Sequence, residues 1–404
     1  MFRRIFLTLA LCFPVLILSV LLLTGISSVS PVYDFPEQER FSGESIYNPY
    51  HSLDSLRSQG VPVDWKRANF HTHTRVEGIF NECEYSPMET YEALAAFGYD
   101  IVTFSNHNEL TPHPFDTALQ VNVYEHGYNL FKYHKLVFGS DRVNRFDNLL
   151  PLFAFQKQFQ LDLLNRDCDF IQMNHPYRTG GTSRAQKERL TGYRKMELDS
   201  GLGTEQEYWD WALSAGHYSF GLANDDLHYP DRSDRIAVRC NFLCCPSVSY
   251  EDIKKCLLDG CYYSMRVPDY GRGDWEIKYA KNRELPRIED IGLRKDTIYL
   301  RLSVPADSIK VTGSGHSTLA AVRGSSVLEY KMEERDAYAR LTAYFPDGEV
   351  IYTNPFARYD ASLADSPYCE SEHTVNVLLT ILFNLLVLAL SAAVAFLIYK
   401  IVKK

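Results

Sequence analysis

The chain has no surplus of positive charge. Its 42 Lys and Arg are outnumbered by 51 Asp and Glu, a formal charge of -9, so no sequence-wide basic field exists to draw in nucleic acid. It also has no low-complexity tract. With 46% hydrophobic residues over 404 positions it can bury a large core and a second, smaller unit, which excludes a disordered chain. Nine cysteines are present, yet no Cys-x-x-Cys pair repeats at the spacing of a zinc ribbon. Cys12 lies in an apolar run, and the remaining eight permit disulfides in an exported domain without defining any pairing.

Long apolar runs are present, and there are two. The first follows Met1-Phe2-Arg3-Arg4 and extends from Ile5 to Leu23, longer than the usual apolar stretch of a cleaved signal. Residues 1–30 are therefore a signal anchor or a signal peptide, with the anchor favoured. The second, 374–399, is interrupted only by Asn376 and Asn384 and is followed by a basic tail at 400–404, as expected of a transmembrane helix. Basic residues flank the outer end of each run. Both ends are expected in the cytoplasm, with everything between them outside the cytoplasmic membrane, periplasmic or extracellular.

Between the runs, a polar lead-in (31–64) gives way to short apolar strands alternating with helix-like segments over 65–285, the pattern of βα units. Ser86-Pro87-Met88-Glu89 combines an N-cap, a proline at the first helical position and a capping-box glutamate, and predicts a helix ending at Gly98. Thr204 with Glu207, ending near Gly216, and Ser249 with Asp252, ending near Gly260, repeat this grammar. Strands are predicted at 68–70, 100–104, 135–138, 169–173 and 219–223. From 290 to 362 the pattern becomes alternating strands with a Pro346-Asp347-Gly348 hairpin turn, a small all-β module.

A lone histidine is usually structural, so position carries the case here. His71 and His73 end the first predicted strand, His107 follows the second, His134 leads the third, His175 follows the fourth and His228 follows the fifth. In a parallel barrel the carboxyl ends of the strands open on one face, where such imidazoles would converge. Asp226 precedes His228 by two residues and Glu125 precedes His134 by nine. Two-residue spacing along an extended segment places both side chains on one side, suiting His71 with His73 and Asp226 with His228 as ligand pairs. Imidazole plus carboxylate selects Mn, Zn or Fe over Ca or Mg.

The segments Asn69-Phe70-His71-Thr72-His73-Thr74, Thr103-Phe104-Ser105-Asn106-His107-Asn108, Asn174-His175-Pro176 and Asp225-Asp226-Leu227-His228 resemble the successive motifs of the PHP (polymerase and histidinol phosphatase) superfamily, over roughly Asp64 to Met265. The resemblance implies an α/β fold, a distorted (β/α)7 TIM-like barrel, holding two or three divalent ions. Carried over by position, His71, His73 and Asp226 would bind one metal. Glu125 would bridge it to a second, held by His134 and His175, while His107 and His228 would hold a third. The family completes that third site with a Ser-Asp-Gly turn; here Val76-Glu77-Gly78 is one residue shorter, so Glu77 is the replacement, with Glu82 and Glu84 as competitors. Asn106 stands where the family has aspartate.

Such ions would activate water, making phosphoester hydrolysis the leading expectation, with Glu125, Asp226 and His228 catalytic. Arg178, three residues past His175, is the expected phosphate-binding fork, ahead of Arg75 and Arg142. Hydrolysis of a carboxyl ester, carbamate or amide is the alternative within enzymes, favoured by Asn354-Pro355-Phe356 at the end of the β module, which resembles the closing segment of a subgroup of relatives. A non-catalytic, membrane-tethered metal-binding protein is the alternative outside them. The expected substrate is a small-molecule or envelope-derived phosphoester of lipid or glycan.

Overall fold

The computed structural model describes residues 2–37, 41–60, 63–77, 81–177, 182–199, 206–368 and 373–403, with side chains in the first helix from Cys12 onward. The chain begins with helix α1 (Phe2–Ser27), strands β1 (Tyr33–Asp34) and β2 (Ser45–Tyr47), and α2 (His51–Ser58). The central stretch runs β3 (Lys66–Asn69), α3 (Pro87–Ala95), β4 (Ile101–Val102), β5 (Val123–His126), β6 (Lys135–Phe138), α4 (Ala154–Leu164), β7 (Phe170–Met173), α5 (Arg184–Lys187) and β8 (Lys195–Asp199). It continues through α6 (Gln206–Ser214), β9 (Phe220–Ala223), β10 (Arg239–Leu243), α7 (Tyr250–Asp259), β11 (Tyr262–Arg266) and α8 (Trp275–Arg283). A stretch of strands without α-helix follows: β12 (Ile288–Arg294), β13 (Thr297–Gly313), β14 (Ser317–Lys331), β15 (Tyr338–Tyr344), β16 (Val350–Thr353) and β17 (Phe356–Tyr359). Then come β18 (Thr374–Val375) and α9 (Val377–Val402).

The helix signals read from the sequence act as expected. Ser86 Oγ accepts from the Glu89 amide and Glu89 reaches back to the Ser86 amide, satisfying two donors at the start of α3. Ser249 caps α7, and Gly260 ends it at φ +87°, a left-handed conformation that a side chain would strain. Thr204, the expected start of α6, lies outside the described residues.

The expected closed barrel is not what the strands form. Among the described residues there are two large open sheets and a two-stranded ribbon. One sheet has the order β5-β6-β7-β8-β9, and the other contains β12-β13-β15-β16-β11-β10-β3-β4, with β14 on β13 and β17 joining β15 to β2. Among the described residues, the backbone β-pairing between the two sheets is limited to two isolated parallel bridges, Thr72 with Leu227 and His107 with Glu125. Closure by ladders fails because β4 is two residues long, and the chain turns away beyond it to build the loops that carry histidines. The strands are also not all parallel. Only eight residues separate β5 from β6, too few for a crossover helix, so β6 runs antiparallel to β5 and to β7. The expected β module is continuous with the larger sheet, because β16 pairs with β11.

Asn354, in the Asn-Pro-Phe segment, ties these strands to the core. Its side chain accepts from the Gly221 amide at 3.0 Å and donates to the carbonyls of Gly260 and Tyr262 at 2.8 and 3.1 Å. A second tie is the fully buried Arg340, which grips Asp210 of α6 bidentately at 2.8 and 2.6 Å.

α9 is long and apolar enough to cross a membrane; the apolar part of α1 with described side chains, Cys12–Ser27, is shorter. The two helices pack antiparallel. Gly25 lies against Ser391 Oγ, so closely that a methyl group there would collide with it. Ser30 and Asn384 exchange two hydrogen bonds at 3.1 Å, and Thr380 accepts from the Val32 amide at 2.8 Å.

Candidate metal centre

The five motif histidines and His134 converge on one buried floor, whose centre is Glu125 at 1% side-chain exposure. Its two carboxylate oxygens lie 3.3 Å from His71, 3.3 Å from His73, 3.2 Å from His107, 3.1 Å from His134 and 3.2 Å from His175. Asp226 Oδ1 faces His71 and His73 at 3.2 and 3.3 Å and His228 at 3.6 Å. The reversed direction of β6 explains why His134, which leads its strand, joins residues that follow theirs. The amino end of an antiparallel strand lies beside the carboxyl ends of its neighbours.

Local backbone strain aims two ligands. His175 (φ 23°) and Asp226 (φ 48°) occupy positive φ without being glycine, a conformation that persists only where the surroundings enforce it. For His175 the enforcement comes from Glu197, which accepts from its amide at 2.6 Å. For Asp226 it comes from Asp225, which accepts from the amides of Ala237, Val238 and Arg239 and from Asn69 Nδ2. Asn106 accepts from the Thr74 amide at 2.8 Å and donates to Thr74 and Thr111 hydroxyls at 2.7 Å. An aspartate could not make those donations, so asparagine suits this loop.

The donor set fits divalent ions. His71 Nε2 and His73 Nε2 are buried without a hydrogen-bond partner although carboxylate oxygens lie about 3.2 Å away. Neither nitrogen makes a well-formed hydrogen bond to those oxygens. A separation of about 3 Å is the edge of a coordination polyhedron with bonds of about 2.1 Å. Three groups have donor atoms all within 4.8 Å of one another: His71, His73, Glu125 and Asp226; His107, Glu125 and His134; and His73, Glu82 and His228. This partition differs from the expected one, because His107 sits with Glu125 and His134. Even so, Glu82 touches both His107 (3.1 Å) and His228 (3.4 Å).

Electrostatics point the same way. Burial opposes ionisation of Glu125 and Asp226, yet the surrounding imidazoles outweigh it and hold both carboxyls well below the usual range. Burial likewise opposes charge on His71, but Asp226, Glu125 and Glu197 raise its pKa well above that of a free imidazole. At His134 burial wins and the pKa falls to about 4. Buried carboxylates in this number need positive charge, which protons or metal ions supply.

Other expected residues are placed differently. Glu77 is exposed, and the carboxylate facing His107 and His228 is Glu82, held well below the carboxylate range by those two rings. Glu84 is exposed. Arg178 lies outside the described residues; Arg75 is exposed, and Arg142 is drawn off to Asp167 at 2.5 Å. The basic side chains lining the cavity of about 590 Å³ over the floor are instead Lys132 and Arg235. A larger groove, about 940 Å³, lies against Trp65, Arg283 and Arg287 and contains none of the ligands. Glu197 was missed altogether. It is fully buried and faces His71 Nδ1 at 3.0 Å, fixing the ring so that Nε2 faces the floor. Its signal was the alternation Lys195-Met196-Glu197-Leu198-Asp199, polar and apolar on opposite sides of β8. His126, adjacent to Glu125, points to the other face of β5 and bonds the Phe146 carbonyl at 2.8 Å.

No family model matches the chain, and no curated protein matches it. Among solved structures, a two-domain protein from Bacteroides vulgatus ATCC 8482 containing a predicted PHP-like metal-dependent phosphoesterase is similar, at 15% identity and TM-score 0.36. The alignment covers 72% of this chain and 95% of that one. At that score the likeness decides neither fold nor chemistry.

Proposed function

We propose that this is a membrane-anchored phosphoesterase that works outside the cytoplasm with two or three divalent ions of the Mn, Zn or Fe type. The observation that carries the reading is the convergence of five imidazoles on the carboxylate of Glu125, with Asp226 and Glu82 completing the set. Bound there, the ions would polarise a phosphoryl oxygen and acidify a water molecule. Lys132 and Arg235 on the cavity wall are placed to take the remaining phosphate oxygens. In the reaction a water oxygen bonds to phosphorus and the ester P–O bond breaks. Asp226 and His228 would hold the ions and so position that water; the proton the water gives up leaves to solvent through the open cavity, and the departing alkoxide takes one up from it.

Membrane placement is supported by α9 and by its antiparallel pairing with α1, which puts Arg3-Arg4 and Lys400 at the same end of the hairpin. A reporter fused near Asp290 should register outside the cytoplasm; a cytoplasmic signal would overturn the placement. The activity is tested by screening the metal-loaded full chain against phosphomonoesters, phosphodiesters and carboxyl esters. Turnover confined to carboxyl esters would replace the phosphoesterase reading, and no bound metal would end it.

A further inference from the structure

The metal cavity is mechanically joined to the membrane end of the molecule. One wall of the cavity is the 127–133 turn between β5 and β6, which presents Lys132 at a strained φ of 53°. That turn is held by the segment 147–149 at three points. The Tyr128 amide donates to Asp147 at 2.7 Å, Asn129 Nδ2 donates to Asp147 at 3.1 Å, and the Leu130 amide donates to the Leu149 carbonyl at 3.0 Å. The same segment holds the end of α1, because the Leu149 amide donates to Ser27 Oγ at 3.0 Å and Asn148 Nδ2 donates to the Ser27 carbonyl. A second, buried path runs from beside His134: Lys135 Nζ donates to Gln160 at 2.5 Å, and Gln160 donates to Asn148 at 3.0 Å. Three side chains thus bridge the metal floor and the helix end.

The surface around this junction carries several large exposed apolar side chains. Leu130 is 62% exposed, Leu152 51% and Phe153 48%, with Phe146 partly exposed beside them. Phe153 stacks on Phe155, which packs edge-on against Phe383 of α9 at 5.0 Å. These residues continue the apolar surface of the helix pair onto the domain.

We propose that the cavity takes its substrate from the bilayer: a lipid whose headgroup phosphate is held by Lys132 and Arg235 while its chains remain in the leaflet beside Leu130 and Phe146. This rests on the phosphoesterase reading and adds the substrate class. Water cleaves the headgroup phosphoester as above, with no further reactant, and the lipid alcohol or diglyceride stays in the membrane.

The test uses the metal-loaded full chain with phosphatidylcholine vesicles carrying phosphatidic acid or phosphatidylglycerol, against soluble glycerol 3-phosphate and p-nitrophenyl phosphate. At least one lipid should be hydrolysed with a kcat/KM roughly tenfold or more above the soluble esters. The double substitution Phe146→Ser with Leu152→Ser, outside the cavity wall, should lower lipid turnover by roughly tenfold and leave the soluble esters unchanged. Soluble esters cleaved as well as the lipids, or a loss shared equally by both, would overturn the lipid assignment and leave the phosphoesterase standing. Carboxyl-ester turnover without any phosphoester turnover would remove both.

Discussion

Glu125→Gln isolates charge from shape. The amide keeps the volume of the side chain and can keep a hydrogen bond with Asn174, whose Nδ2 now lies 2.8 Å from Oε1. What disappears is the single negative charge between five imidazoles, each within 3.3 Å. Two ions sharing such a site stand about 4 Å apart. At an effective dielectric of about 20, each unit-charge interaction over that distance is worth about 4 kcal/mol. The carboxylate offsets that repulsion between the ions, so losing as little as one such unit of compensation should weaken binding of the second ion by about a thousandfold or more. Metal content after dialysis, measured by elemental analysis, should fall by at least one ion per chain, and turnover should fall with it. The circular dichroism spectrum should be unchanged. Full metal stoichiometry with undiminished turnover in Glu125→Gln would refute the bridge.

Three further outcomes are expected. Glu82→Gln should release an ion that Glu77→Gln retains, because only Glu82 faces His107 and His228; equal metal content in the two variants would contradict the geometry. Asp210→Asn should destabilise the fold by roughly 3–5 kcal/mol, since it strips the partner from fully buried Arg340. A denaturant midpoint equal to that of the parent would refute this. Burial pulls Lys157 down from 10.5 to about 7, with Lys187 and Lys135 adding to the effect. The unfolded chain then binds more protons between those values, so this lysine's contribution to stability rises with pH across that window, and its cost is fully present below about 7. Unfolding titrations at about pH 6 and about pH 9 should show that rise, and Lys157→Met should reduce it.

Most of the floor was legible in the sequence because His71, His73, His107, His175, Asp226 and His228 sit on short, ordered segments. His71 and His73 share one extended segment, and Asp226 lies two residues before His228. Each pair is a local pattern that survives whatever the global topology does. The helix boundaries at Ser86, Ser249 and Gly260 were legible for the same reason, since caps act within one turn. The apolar runs identified both terminal helices by length and composition.

Tertiary structure decided the rest. Whether the strands close into a barrel depends on pairing between distant segments, and here the segments that follow β3 and β9 touch at one bridge and the segment that follows β4 touches β5 at another, with no ladder at either place. Glu82 displaced Glu77 because an exposed carboxylate next to a motif and one folded back toward His107 look alike in sequence. Glu197 and Lys132 carry no motif of their own. Their roles arise because β8 lies beside β7 and because the turn before β6 is fastened to the segment that holds α1. Local spacing determines which side chains can act together along a strand, whereas long-range packing determines which strands are brought together, and a single sequence records only the first.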